Sequence, residues 1–97
     1  MRIIARSALR TFWLKHRDAE QPLKAWFAEA KRASWQSQNS VKDQYKSASI
    51  LKNGRVVFNI AGNKYRLIVR INYELQILYI RFVGTHREYD TINPMEV

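Results

Sequence analysis

The most regular pattern of apolar and polar positions runs from residue 55 to residue 90. Three runs there alternate with a period of two, the spacing that sends successive side chains to opposite faces of a strand. In 55–60, Val56, Phe58 and Ile60 share one face, and Arg55, Val57 and Asn59 the other. In 64–73, Tyr65, Leu67, Val69, Ile71 and Tyr73 are opposed by Lys64, Arg66, Ile68, Arg70 and Asn72. In 76–83, Leu78, Ile80 and Phe82 are opposed by Tyr79 and Arg81. Short turns separate the runs, so the pattern predicts an antiparallel meander with one face buried.

Register follows from the alternation, because residues opposite each other in an antiparallel pair share a face. A two-residue turn at Gly62-Asn63 sets Phe58 against Leu67, Asn59 against Arg66 and Ile60 against Tyr65. A turn at Glu74-Leu75 pairs Ile71 with Leu78, Val69 with Ile80 and Leu67 with Phe82. Arg66 then falls opposite Val83, and Arg81 opposite Ile68. The expected open face gathers Lys64, Arg66, Arg70 and Arg81, with Asn59 and Tyr79 among them.

After the third run, Thr85-His86-Arg87-Glu88 fits a capping box, with the threonine hydroxyl on the N3 amide and the glutamate on the cap amide. His86 becomes the first helical residue, and Tyr89 lies one turn on, on the same side. Upstream, residues 2–5 read as an edge strand. Ser7 caps a helix through His16 that carries Leu9, Phe12 and Trp13 at helical spacing. Asp18 caps a second helix, with Gln21 at the box position and Leu23, Trp26, Phe27 and Ala30 as its apolar stripe. Residues 35–39 read as a polar linker and 40–46 as one or two helical turns. Residues 47–50 lead to a loop at Lys52-Asn53-Gly54. The expected architecture is α+β, one domain over residues 1–97. Two N-terminal helices pack on one face of a small antiparallel sheet, and the other face stays open and basic.

Charge sharpens this picture. The chain has 17 Lys and Arg against 8 Asp and Glu, a formal net charge of +9. Between Asp43 and Glu74 no acidic residue occurs, while Lys46, Lys52, Arg55, Lys64, Arg66 and Arg70 do. Like charges gathered on one face call for a polyanion, and nucleic acid is the commonest one. With no Cys, disulfides and thiolate zinc sites are excluded, which agrees with a cytoplasmic location. No apolar run approaches membrane-spanning length. No Asp, Glu and His grouping has metal-ligand spacing, and no glycine-rich phosphate loop occurs, so no metal or cofactor is expected.

Arginine, lysine, one histidine and neighbouring tyrosines suit attack by an RNA 2′-hydroxyl on the adjacent phosphate. That reaction needs a base, cations on the phosphorane and a proton donor for the leaving 5′-oxygen. Arginine holds phosphate bidentately and stays charged. His86 is the candidate base, since histidine is the side chain that titrates near neutrality when unperturbed.

Two motifs carry a resemblance: Phe58-Asn59-Ile60-Ala61-Gly62-Asn63-Lys64-Tyr65-Arg66-Leu67 and Thr85-His86-Arg87-Glu88-Tyr89-Asp90. With these the chain resembles HigB toxins of the RelE/ParE superfamily over essentially its whole length. The resemblance implies a type II toxin that cuts mRNA on translating ribosomes, at the decoding site of the small subunit. It implies a HigA-type antitoxin with a helix-turn-helix, and operator DNA reached only through the antitoxin complex. It implies catalytic roles for Arg66, Arg81, His86 and Tyr89. Lys46, Lys52, Arg55, Asn59, Asn63, Lys64, Arg70, Tyr79 and Arg87 are then the candidate contacts to RNA or ribosome. Some RelE-like relatives carry a glutamate on the sheet face; none lies there in this chain, which makes His86 the choice for the base. Two other classes stay open: a ParE-type inhibitor of DNA gyrase on the same fold, and an RNA-binding module without catalysis.

Overall fold

A computed structural model describes residues 1–97. The sheet has five strands: β1 (Arg2–Ile4), β2 (Ser49–Ile50), β3 (Arg55–Ile60), β4 (Tyr65–Asn72) and β5 (Ile77–Thr85). Their order is β1-β5-β4-β3-β2, with β1 parallel to β5 and every other pair antiparallel. The helices are α1 (Ser7–Lys15), α2 (Glu20–Arg32), α3 (Gln38–Gln44) and the single turn α4 (His86–Tyr89). This is the expected α+β architecture. The three-stranded meander is its centre, widened at one edge by β1 and at the other by β2, which the sequence pattern did not single out.

Helix α1 buries Leu9, Phe12 and Trp13, and α2 buries Leu23, Trp26 and Ala30. These positions recur at helical spacing, so each helix turns one apolar stripe toward the sheet. Phe58 is the centre they pack on. The rings of Trp26, Trp35 and Tyr45 lie 5.4, 6.3 and 5.0 Å from it. Trp35 is therefore core rather than linker: it is 4% exposed, and its indole N–H donates to Gln44. It leads directly into α3, which starts two residues before the expected Ser40. The anticipated helix caps at Ser7 and Asp18 make no side-chain cap bond. Asp18 sits in a 3-10 turn, Arg17–Ala19, and its carboxylate instead accepts from Lys64 and Tyr65.

The β3–β4 register is the one the alternation dictates: Phe58 pairs with Leu67, Asn59 with Arg66 and Ile60 with Tyr65. The β4–β5 register is not. It begins as expected, with Ile71 opposite Leu78 and Val69 opposite Ile80, and then shifts between Ile68 and Val69. Arg81 is the extra residue. Beyond it Phe82 pairs with Ile68, Val83 with Leu67 and Gly84 with Arg66. A bulge reverses the inward–outward alternation of whatever follows it. Val83 therefore packs on the core and Phe82 moves to the outer face. Gly84 makes room for that ring, since a Cβ there would lie 2.5 Å from its edge.

The outer face is also not fully open. Val57 and Ile68, a cross-strand pair on that face, are 3% and 0% exposed. Helix α4 packs on β4 and β5. Arg55 on β3 and Arg81 on β5 both donate to the Val97 main-chain oxygen, at 2.8 and 3.3 Å, which carries the segment after α4 across the sheet. The physical reason is in the strands themselves. Val57, Ile68 and Phe82 form a small apolar patch on that face, where burial removes them from water, and Ile92, Met95 and Val97 in the crossing segment are themselves half-buried. No helix is long and apolar enough to cross a membrane.

Candidate active site

Arg66 stands at the end of the outer face where β4 meets the start of α4. Because Arg66 pairs with Gly84, the cap residue Thr85 follows directly, and the guanidinium reaches the Tyr89 ring, 5.7 Å from its centroid. Its Nη1 also donates to the Asn63 carbonyl at 3.2 Å, so the hairpin turn fixes its other side. Asn63 thus serves through its backbone.

The capping box forms as the sequence predicts. Glu88 N–H donates to the Thr85 hydroxyl at 3.1 Å, and Thr85 N–H donates to the Glu88 carboxylate at 2.8 Å. That amide holds the Glu88 carboxyl below its usual range, with smaller help from the charges of His16 and Lys15. The His86 amide donates to the Lys64 carbonyl at 3.2 Å, which ties α4 to the start of β4. A four-residue helix has little stability of its own; the box and this one bond anchor it.

The His86 ring is half exposed, and its Nδ1 lies 3.3 Å from the Asp90 carboxylate. With Nδ1 turned to Asp90, Nε2 makes no hydrogen bond within the chain. Asp90 stands four residues after His86, the spacing at which helical side chains meet. That spacing was visible in the sequence, and it was the signal for a partner the motif reading left without a role.

The other candidates divide. Arg70 pairs with Arg55 and Tyr79, and its Nε donates to the Asn53 carbonyl at 3.3 Å. Arg70, Tyr79 and Arg81 line an open groove of about 700 Å³ together with Gln38, Asn53 and Gly54. Arg81 sits in the bulge, three residues before the Gly84 that faces Arg66, so it lines this groove instead of standing opposite Ile68 as the expected register had it. Arg55 is 9% exposed, held by Val97 rather than presented to solvent. Lys64 is bonded to Asp18 at the rim by the helical layer, so it does not join the guanidiniums on the outer face. Asn59 donates to Ser47 at 3.3 Å. Lys46, Lys52 and Arg87 are exposed, each away from the Arg66–Tyr89 pair in sequence or facing solvent. No group of three or more His, Asp and Glu side chains is placed to hold a metal ion.

Comparison with known proteins decides the family. A profile described as "HigB_toxin, RelE-like toxic component of a toxin-antitoxin system" matches residues 19–92. The chain belongs to the HigB toxin family. It is 30% identical over 92 residues to the mRNA interferase toxin HigB of Escherichia coli K12, covering 93% of this chain and 88% of that one. The same figures hold for the mRNA interferase HigB of Escherichia coli O157:H7 and that of Shigella flexneri. The matched span takes in both the Arg66 and the His86 motifs.

Proposed function

We propose that this HigB-family chain is an mRNA interferase that cleaves RNA by attack of a 2′-hydroxyl on the adjacent phosphate. His86 Nε2 takes the 2′-hydroxyl proton, with Asp90 holding the ring. The new bond from the 2′-oxygen to phosphorus forms as the bond to the 5′-oxygen breaks, giving a 2′,3′-cyclic phosphate and a 5′-hydroxyl end. Arg66 carries the charge that builds on the phosphorane. The Tyr89 hydroxyl protonates the leaving 5′-oxygen and recovers a proton from His86. The observation that supports this most is the Arg66 guanidinium stacked over the Tyr89 ring on a helical turn that begins with His86.

Cleavage in this reading takes place on the ribosome. All three tryptophans are core, at 8%, 2% and 4% exposure, which leaves the face few stacking rings with which to grip a flexible single strand. Orientation of the reacting groups supplies much of the rate in such a reaction. An mRNA already threaded through the decoding site provides it, and a chain of net charge +9 is steered to that polyanion. The partner that restrains the toxin is a HigA-type antitoxin with a helix-turn-helix, and operator DNA is reached only through that complex. The working location is the cytoplasm.

The test compares wild type, Arg66→Ala and His86→Gln on a programmed ribosome and on the same mRNA free in solution, at matched salt. Cutting by wild type on the ribosome, weak cutting of free mRNA, and loss in both variants are expected. Full cutting by His86→Gln removes the assigned base. Equal cutting of free and ribosome-bound mRNA replaces the reading with a free ribonuclease. Relaxed supercoiling with intact mRNA replaces it with gyrase inhibition.

A further inference from the structure

Tyr65 carries a hydroxyl that its place in the core does not call for. The ring is 5% exposed and lies 5.2 Å from Phe12 in α1 and 5.5 Å from His16 just after it. A phenylalanine would fill that space. A buried hydroxyl is costly without a partner, and this one donates to the Asp18 carboxylate. Lys64, the residue before, donates to the same carboxylate. Asp18 is itself fixed, because the 3-10 turn that carries it buries Ala19 completely in the core. Two consecutive residues at the start of β4 are thus tied to one point of the helical layer. Much of the candidate site hangs from the same stretch of main chain. The Asn63 and Tyr65 carbonyls accept from Arg66 Nη1 at 3.2 and 3.5 Å, and the Lys64 carbonyl accepts from the His86 amide at 3.2 Å. Tyr65 also pairs with Thr85, the cap of α4. The hairpin end has little else to hold it. Pairing of β3 with β4 stops at Ile60 opposite Tyr65, and the turn beyond adds one bond, from the Lys64 amide to the Ala61 carbonyl at 3.3 Å.

We propose that Tyr65 is a positioning residue: its hydroxyl on Asp18 sets the main chain of residues 63–65, and through it the placement of the Arg66 guanidinium and His86 relative to each other. The inference rests on the nuclease reading of the Arg66 end. Being buried, Tyr65 acts from behind the sheet and does not touch RNA. Attack on a phosphate depends steeply on how the reacting groups are oriented. A small drift of this main chain therefore slows the chemical step without loosening the hold on the substrate.

The test sets Tyr65→Phe against Tyr45→Phe. The Tyr45 hydroxyl makes the same kind of bond, to the Glu29 carboxylate of α2, and neither Arg66 nor His86 hangs from it. Each variant loses one hydroxyl and keeps its ring, so both are expected to melt a few degrees lower. On a programmed ribosome under single-turnover conditions, Tyr65→Phe is expected to cut about fivefold more slowly at saturation, the equivalent of one ordinary hydrogen bond. The ribosome concentration that gives half the maximal rate should stay level. Tyr45→Phe is expected to cut at the wild-type rate. Asp18→Ala, which removes the acceptor from an exposed turn position, is expected to match Tyr65→Phe and serves where that variant fails to fold. Hydrogen exchange of the His86 amide gives a readout that needs no cleavage, faster in Tyr65→Phe and unchanged in Tyr45→Phe. Where wild type cuts, an unchanged maximal rate in Tyr65→Phe overturns the inference and leaves the nuclease reading standing. Equal slowing in Tyr45→Phe, or a loss seen only as a higher ribosome requirement, overturns it as well. Where wild type does not cut, faster His86 exchange in Tyr65→Phe alone keeps the positioning of α4 and removes the nuclease. Unchanged exchange then removes both.

Discussion

The two ends of β4 present the same residue type in opposite circumstances. Arg66 stands beside an aromatic ring carried on a helical turn that begins with His86 and that several hydrogen bonds hold in place. Arg70 stands beside two other arginines and a tyrosine, over a wide groove. The first end gathers groups that can move a proton and stabilise a developing charge. The second gathers guanidiniums, which attract and position an anion, and has no histidine. A guanidinium is the same cation at both ends, so its neighbours, and not its own chemistry, decide what it can do.

The largest expected effect follows from that contrast. On a programmed ribosome, Arg66→Ala should lower the cleavage rate about a hundredfold or more, the usual cost of losing one transition-state donor. Arg70→Ala should leave the rate at saturating ribosome nearly unchanged and raise the concentration needed to reach it. Single-turnover kinetics separate the two quantities. A rate loss of equal size in both variants would erase the distinction between the ends.

Within the Arg66 end, His86 and Asp90 should rank in order. His86→Gln should cost about a hundredfold, the lower range for a general base. Asp90→Asn should cost much less, because Asp90 is exposed and in the proposed mechanism acts only through the ring it holds. The double variant Arg66→Ala, His86→Gln should be little worse than either single one, as for groups that act together. Activity of Asp90→Asn below that of His86→Gln would mean the carboxylate, not the imidazole, takes the proton.

A smaller effect tests how the end is held. Glu88→Ala removes half of the capping box, and Thr85→Val removes the other half. Each should cost about 1 kcal/mol, or about 4–8 °C in melting temperature for a domain of this size. Cleavage should fall with it, while RNA affinity at the Arg70 end stays level. Equal loss at both ends would show that α4 supports the whole face.

This contrast was half legible in the sequence. The capping box, the β3–β4 register and the Arg66–Tyr89 neighbourhood follow from local rules, since a box has fixed spacing and a short turn fixes a register. The Arg81 end was not legible. A bulge is set by how β5 twists against β4 and by where Phe82 finds room over Gly84, and both depend on packing. Without the bulge, Arg81 falls opposite Ile68; with it, Arg81 turns to Val97. The burial of Arg55 was not legible for a related reason. Alternation places it on the outer face correctly, but whether that face is covered depends on residues 40 positions further along. Lys64 illustrates the same limit, because its partner Asp18 sits in another layer.

The smallest expected effect concerns that Lys64–Asp18 pair at the rim of the Arg66 end. Lys64, and after it Tyr65, hold the Asp18 carboxyl below its usual range. A carboxyl lowered on folding adds stability above its unfolded value and loses it as pH falls through the folded one. Acid unfolding of wild type should therefore steepen below about pH 4 relative to Asp18→Asn, and the two curves should converge at lower pH. At neutral pH, Asp18→Asn also releases the Lys64 ammonium. If the Arg66 end receives RNA, the freed cation should steepen the salt dependence of binding by no more than about 0.7. An unchanged slope together with the expected acid behaviour would place Lys64 beyond the reach of RNA, and would leave its pairing with Asp18 as a contact of the fold alone.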